Sequence, residues 1–443
     1  MRIKSKVAWV TGAPEATLYE ETIPINFKVV GSRDWLNRWI APNAVPKDRL
    51  ISVSYPGDLA PIKEDFESSP IHGFDTEGGG KEEGDGLDPL SPNSLIILAQ
   101  YGTPNMIYLM EPKLLLEFKP WLQSEKHLLL GQNLKYDFEF IMSKYKFPLV
   151  NMYDTMLAEQ MLTAGMLGVN VGLSDLMRKY PPHYITNKSI RSQFINFKLG
   201  SKFTADMLYY GARDVFGLFP VYSGQKPELK RLNLESVAQD EFNCIPVTAE
   251  MELGGLVLDE WVIKTVSDWY GQRQKELEHE IIVEYNRLLV ERGICTQVKV
   301  MPEVLDQFDV NSSYQKLQAL QGLGGEYEDL EDVQRETLVE LNTVLCKLLA
   351  EYTECQKITS TYGQGLLNKR SKWTGLFHPE FNQMGKGEGG GDSTTTATER
   401  YSSDAQQIPR PVKEYKQVEG QELDKVLRDY QAKLIEIGYL EVS

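Results

Sequence analysis

The chain reads as an α/β domain leading into a mostly α-helical region, and two observations carry that reading. Short apolar runs that suit strands, Ile71-His-Gly-Phe74, Ser94-Leu-Ile-Ile-Leu-Ala99, Met106-Ile-Tyr-Leu109 and His127-Leu-Leu-Leu130, are interspersed with helical periodicity over 136–145 and 204–222. Beyond Glu228 helical periodicity dominates, in long segments around 235–253, 260–292 and 337–361.

Taken in order, residues 1–68 are mixed, with Pro42, Pro46, Pro56 and Pro61 breaking any long element, and no function is assigned there. The strand of 71–74 leads into Asp75-Thr-Glu77, and the buried strand of 127–130 ends at Gly131 before a helix begins. The Gly- and Thr-rich stretch 385–398 reads as a loop.

With 443 residues the chain is long enough for two or three domains, and 42% apolar with 25% charged residues is ordinary for a soluble globular protein. No apolar run approaches the roughly 20 residues of a membrane span. The four cysteines, Cys244, Cys295, Cys346 and Cys355, lack a paired metal-ligand spacing, which argues against zinc and a disulfide framework and suits a reducing, cytoplasmic setting. A net charge of -16 counts against a nucleic-acid binder. The distribution of charge softens that objection. Between Leu176 and Ala205 no acid occurs, while Arg178, Lys179, Lys188, Arg191, Lys198 and Lys202 are interleaved with Tyr180, Tyr184, Phe194, Phe197 and Phe203. Such a stretch can track a phosphate backbone and offer rings to unstacked bases, or it can be a solvated basic face over a buried aromatic stripe.

Four carboxylates fall inside three short motifs: Asp75 and Glu77, then Asp137 in Asn133-Leu-Lys-Tyr-Asp137, then Asp214 in Tyr210-Gly-Ala-Arg-Asp214. Alternation along a strand puts Asp75 and Glu77 on one face. Asn133 stands where a strand gives way to a helix, with Asp137 near the helix's positive end. Tyr210 and Asp214 are four apart on a helix, hence on one side of it. Each motif alone has an ordinary structural reading. Together, four acids from separate elements would repel one another unless cations sat between them, which suits a two-metal hydrolytic site with hard divalent cations.

These three motifs resemble the exonuclease motifs in the proofreading domain of family A (DNA polymerase I-like) DNA polymerases, a branch of the DEDDy 3'-5' exonucleases. Asp154-Thr-Met156, Lys188-Ser-Ile-Arg191 and Leu87-Asp-Pro89 are further matches, although the insert 78–86 separates Leu87 from Glu77 by more than the family usually has. The resemblance implies a ribonuclease H-like (DnaQ-like) fold over 69–228, with a mixed central sheet flanked by helices. It implies that Asp75 bridges two magnesium or manganese ions, that Glu77 and Asp214 complete the shell of the first, and that Asp137 holds the second. Tyr210 would orient the attacking water, since a phenol near pKa 10 is a poor base. Leu87, Asn133, Tyr136, Lys188 and Arg191 would contact single-stranded or frayed DNA 3' ends.

The resemblance continues beyond the nuclease. The segments 246–255, 308–312 and 357–362 are similar to a thumb-like region over 229–372, and 378–382, 396–403 and 406–410 resemble the start of a palm over 373–443. There Arg400 would contact the primer strand, although Glu399 stands where the family has Gly. Leu434-Ile-Glu-Ile437 looks like the strand entering the first catalytic palm motif, with Gly438 in place of its metal-binding Asp. From this the expectation is an exonuclease without polymerase activity of its own, acting in proofreading, with a separate chain carrying the remaining palm and fingers. The alternative is a non-catalytic DNA-binding and assembly subunit that docks that polymerase chain.

Overall fold

The structure, a computed structural model, describes residues 25–80, 85–164, 166, 169–183, 190–295, 309–384, 401–403, 425 and 428–433. Lys188, Tyr184, Arg400, the strand expected at 434–437 and Gly438 lie outside them. The chain divides into two compact units, Met1–Gly254 with Glu380–Asp404, and Gly255–Pro379 with Ala405–Ser443.

In the first unit a seven-stranded mixed sheet forms from β1 (Phe27–Gly31), β2 (Leu50–Ser52), β3 (Ile71–Gly79), β4 (Leu95–Gly102), β5 (Ile107–Met110), β6 (Leu128–Gly131) and β7 (Met152–Asp154), in the order β2-β1-β5-β4-β3-β6-β7. β3, β4 and β5 run antiparallel to their neighbours in the meander, while β6 and β7 add to β3 in parallel, and β1 and β2 add to β5 in parallel. Residues 25–68, to which the sequence assigns no role, therefore supply two strands of the sheet, with α1 (Arg33–Trp39) and α2 (Ala60–Ser68).

Helices pack on the sheet: α3 (Leu115–Leu122), α4 (Leu134–Tyr145), α5 (Thr155–Leu162), α6 (Leu173–Lys179), α7 (Arg191–Ile195), α8 (Ala205–Arg231) and α9 (Glu235–Gly254). One core gathers Phe66, Phe74, Tyr101 and Phe118 with Leu134, Phe138 and Ile141 of α4. A second gathers Val29, Leu98 and Leu109 with Phe203, Leu208, Ala212 and Val215 around α8. β3 thus has a helix-covered layer on each side, and its alternate residues divide between them. Gly73 is what lets α8 approach β3, because a Cβ there would stand 2.8 Å from Val215 Cγ1.

In the second unit α10 (Glu260–Glu291) packs with α11 (Ser313–Leu323), α12 (Arg335–Leu341) and α13 (Val344–Lys357) through Leu277, Ile281, Leu320, Leu338, Leu345, Leu349 and Tyr352. The single helix expected over 337–361 is interrupted. Asn342 takes a left-handed conformation (φ 54°), and the side chain of Thr343 accepts a hydrogen bond from Cys346 N (3.2 Å), so a helix stops and the next one starts capped. Apolar periodicity runs through such a break without recording it. No described helix is long and apolar enough to cross a membrane.

Candidate active site

β3 supplies the first two carboxylates. Phe74 and Thr76 turn one way and are buried, while Asp75 and Glu77, largely but not fully buried, lie on the face shared with Gly73, towards α8. The pairing with β4 shifts register between Glu77 and Gly78. A bulge at this place bends the strand just where the second acid leaves it.

α8 brings Tyr210 and Asp214 over that face, and oxygen atoms of Asp75, Glu77 and Asp214 all lie within 4.8 Å of one another. Asp137, on the first turns of α4, is buried and stands apart from this trio; its Oδ1 accepts a 2.6 Å hydrogen bond from Thr76 Oγ1. The structure therefore brings Asp75, Glu77 and Asp214 of the four expected acids into one cluster, with Asp137 beside it and close enough to act electrostatically on Asp75 and Glu77.

The electrostatics follow from burial and crowding. Desolvation, with repulsion from neighbouring acids, holds Asp75 and Glu77 well above the usual carboxylate range. Burial pushes Asp137 up to about 7, against the stabilising hydrogen bond from Thr76. Asp214 is raised by burial too, although the guanidinium of Arg213 and the Tyr210 hydroxyl act in the opposite direction. Arg213 is only 6% exposed, donates from Nη2 to Asp214 Oδ1 at 3.1 Å and lies 4.5 Å from the Tyr210 ring centre. Even with that cation, the acids outnumber the positive charges in contact with them. A cluster of hard carboxylate oxygens carrying unneutralised charge fits a magnesium- or manganese-type divalent cation.

The residues expected on the substrate side answer as follows. Asn133 occupies the turn before α4 in a left-handed conformation (φ 57°, ψ 49°), and its side chain makes no capping hydrogen bond. Tyr136, half-buried, donates its hydroxyl to Gly86 O at 3.2 Å. Gly86 in turn packs on Gly78 and Gly79 so closely that a Cβ on it would meet Gly79 N at 2.5 Å. Gly86 is thereby held against the end of β3, and Leu87, which follows it, is 53% exposed. Arg191, at the exposed start of α7, lowers the pKa of both Glu77 and Asp214.

The aromatic residues of 176–205 answer differently from one of the two readings above. Tyr180, Phe194, Phe197 and Phe203 are all buried; Phe203 packs against Trp39 and Phe197, and Phe194 against Tyr210. The described rings are core, so they offer no stacking face to bases. Lys179 is drawn to the buried Glu159, and Lys202 donates to Asn37 O.

Several supporting side chains gave no motif signal by themselves. Asp154 is buried, and its carboxylate accepts from the backbone N–H of Asn133 (3.1 Å), Leu134 (2.6 Å), Met156 (2.8 Å) and Leu157 (3.2 Å), capping α5 while bracing the turn into α4. Thr155 Oγ1 adds a hydrogen bond to Gly131 O at 2.9 Å. Gln100 of β4 donates to Glu77 Oε1 at 3.2 Å. The Asp-Thr pair was visible as a match to the family and Thr76 lay inside the first motif without an assigned role, whereas nothing in the sequence pointed to Gln100.

Residues 57–230 match the family model described as 3'-5' exonuclease, that of the DNA polymerase A group. A "DNA polymerase I" of Rhizobium leguminosarum is 26% identical over 296 residues, 66% of this chain and 27% of that protein. The chain thus spans about a quarter of that relative's length. Among solved structures, the POL domain of Pol1 from M. smegmatis, in complex with DNA primer-template and dNTP, superposes with a TM-score of 0.57 at 16% identity, over 81% of this chain and 56% of that one. RNase D of Escherichia coli, an exoribonuclease, gives 0.38 at 14% identity over 75% and 76% of the two chains, a superposition too loose to carry an argument. Over residues 57–230 the chain is therefore similar to the 3'-5' exonuclease domain of the DNA polymerase A family.

Proposed function

We propose that this chain removes nucleoside 5'-monophosphates from the 3' ends of single-stranded or frayed DNA, as the proofreading partner of a polymerase active site. The observation that carries the proposal is the gathering of Asp75, Glu77 and Asp214 oxygens within 4.8 Å of one another, with Asp137 hydrogen-bonded to Thr76 between the first two. A pure scaffold gains nothing from four mutually repelling acids.

In this reading Asp75, Glu77 and Asp214 hold one divalent cation, and Asp137 with Asp75 holds a second. Cations held by these residues would supply a more acidic attacking water and charge stabilisation for the leaving 3'-oxygen of an in-line displacement. The chain's own residues orient the reaction. Tyr210, whose phenol is pushed above its usual value by burial and by Asp214 and Glu77, stays protonated and donates a hydrogen bond. It positions the water that attacks phosphorus while the P–O3' bond breaks and the 3'-oxygen takes up a proton. Tyr136 and Arg191, which act electrostatically on the acids, would contact the terminal nucleotides, with Leu87, Asn133, Lys188 and Arg400 as further proposed DNA contacts.

A 3'-labelled single strand incubated with purified protein and Mg2+ tests the proposal. Release of labelled mononucleotide well above an Asp75→Ala control is expected, and no difference between the two would sink the reading. The same assay with an RNA strand decides the sugar preference.

A further inference from the structure

We infer that Gln100 is a positioning residue of the carboxylate cluster, fixing the direction in which Glu77 presents its oxygens to a cation. The inference rests on the exonuclease reading above and adds a residue to it. Gln100 lies in β4 directly opposite Asp75, and its side chain is fully buried. Its amide Nε2 donates to Glu77 Oε1 at 3.2 Å. On its other side α8 passes so close that a Cβ on Gly211 would come within 3.0 Å of Nε2, and Gly211 lies between Tyr210 and Asp214. One amide thus touches the strand that carries Asp75 and Glu77 and the helix that carries Tyr210 and Asp214.

Stability does not account for an amide here. Gln100 Oε1 is buried and meets no donor among the described residues. A buried polar atom without a partner destabilises the fold, and an apolar side chain of similar length would fill the same space without that penalty. What the amide does provide is a donor aimed at a ligand side chain with three rotatable bonds. Without it, Glu77 would spread over several staggered rotamers, of which few direct an oxygen towards Asp75 and Asp214. Hydrogen bonds from outer residues to metal-binding carboxylates act in this way, and their loss weakens metal affinity about 10- to 100-fold.

The test uses the full chain, wild type and with Gln100→Met or Gln100→Asn, titrated with Mg2+ by calorimetry and melted in EDTA. The Met variant should melt no lower than wild type in EDTA yet need about tenfold more Mg2+ for half-saturation. The Asn variant, one methylene too short to reach Glu77, should lose Mg2+ affinity as well. In a Glu77→Gln background, Gln100→Met should add no further loss, because the group it positions is already altered. Unchanged Mg2+ affinity in the Met variant, or stability and affinity falling together, would overturn the inference. A wild-type chain that binds Mg2+ but leaves the labelled strand intact would instead overturn the exonuclease reading, and the Gln100 comparison would still be decided by the calorimetry.

Discussion

Thr76 donates its hydroxyl hydrogen to Asp137 Oδ1 across 2.6 Å, tying the strand that bears Asp75 and Glu77 to the helix that bears Asp137. The bond favours the ionised carboxylate in a place where burial opposes it and carries the pKa up to about 7. Thr76→Val, similar in shape, should therefore raise the pKa of Asp137 further. With the pKa raised by about one unit from about 7, its ionised fraction at pH 7 drops from about one half to about one tenth, so cleavage near pH 7 should fall about fivefold. The acid limb of the pH–rate profile should move upward, and a loss that is equal at every pH would contradict this.

The pH dependence of stability in the absence of metal has an unusual sign. A carboxyl whose folded pKa exceeds its unfolded value binds more protons in the folded state, so stability falls as pH rises between the two values. Asp75, Glu77, Asp137 and Asp214 are all shifted upward. Their penalty is absent below about pH 4, the ordinary carboxyl range, and for Asp137 it is largely developed past the folded value of about 7. Melting in EDTA should thus drop from pH 5 to pH 8, and Mg2+ should restore more stability at pH 8 than at pH 5. Asp137→Asn should flatten part of that slope. A metal-free melting temperature that rises over this interval would refute the assignment.

Tyr210 shares one side of α8 with Asp214, and its hydroxyl hydrogen-bonds that carboxylate. Tyr210→Phe should slow cleavage about 10²-fold, the scale of a lost positioned hydrogen-bonding group, while Mg2+ binding by calorimetry changes little. Equal loss of both quantities would mark Tyr210 as a structural support.

Leu87 offers a separable measurement, because it is exposed and makes little contribution to the core. Leu87→Ala should leave the melting temperature unchanged and raise KM for a single strand several-fold, with kcat less affected. Gly86→Ala should do more harm, since the added methyl would strike the backbone of Gly79 and displace the whole turn. If Leu87→Ala leaves KM untouched, the loop is not part of the substrate surface.

Asp154→Ala removes one acceptor from four backbone N–H groups at once. A destabilisation of about 2–4 kcal/mol is expected from a lost cap with buried donors left unpaired, read by urea unfolding. A change within about 0.5 kcal/mol, the range typical of surface substitutions, would show that water replaces the carboxylate there.

Much of this protein could be read before its structure. The runs at 71–74, 94–99, 106–109 and 127–130 appear in or beside β3, β4, β5 and β6, and the helices beginning near residues 235 and 260 appear within a residue or two of the expected bounds. These elements are legible because burial imposes periods of two or 3.6 on apolar residues within a single segment. The break at Asn342 was not legible, because a left-handed residue with a following Thr cap alters the backbone without altering that period. The inward turn of Phe194, Phe197 and Phe203 was equally hidden, since an aromatic residue is as compatible with a nucleic-acid surface as with a core.

The four carboxylates divide along the same line. Their identity, order and placement on a strand, a helix start and a helix face came from local pattern, and so did the match to an exonuclease family. That three of them converge within 4.8 Å while Asp137 accepts a hydrogen bond from Thr76 was decided by β3 packing against both α4 and α8. So were the roles of Gln100, Arg213 and Asp154. Each acts through a neighbour brought to it by sheet pairing or helix packing, and distances across a fold depend on long-range contacts that no window of sequence contains.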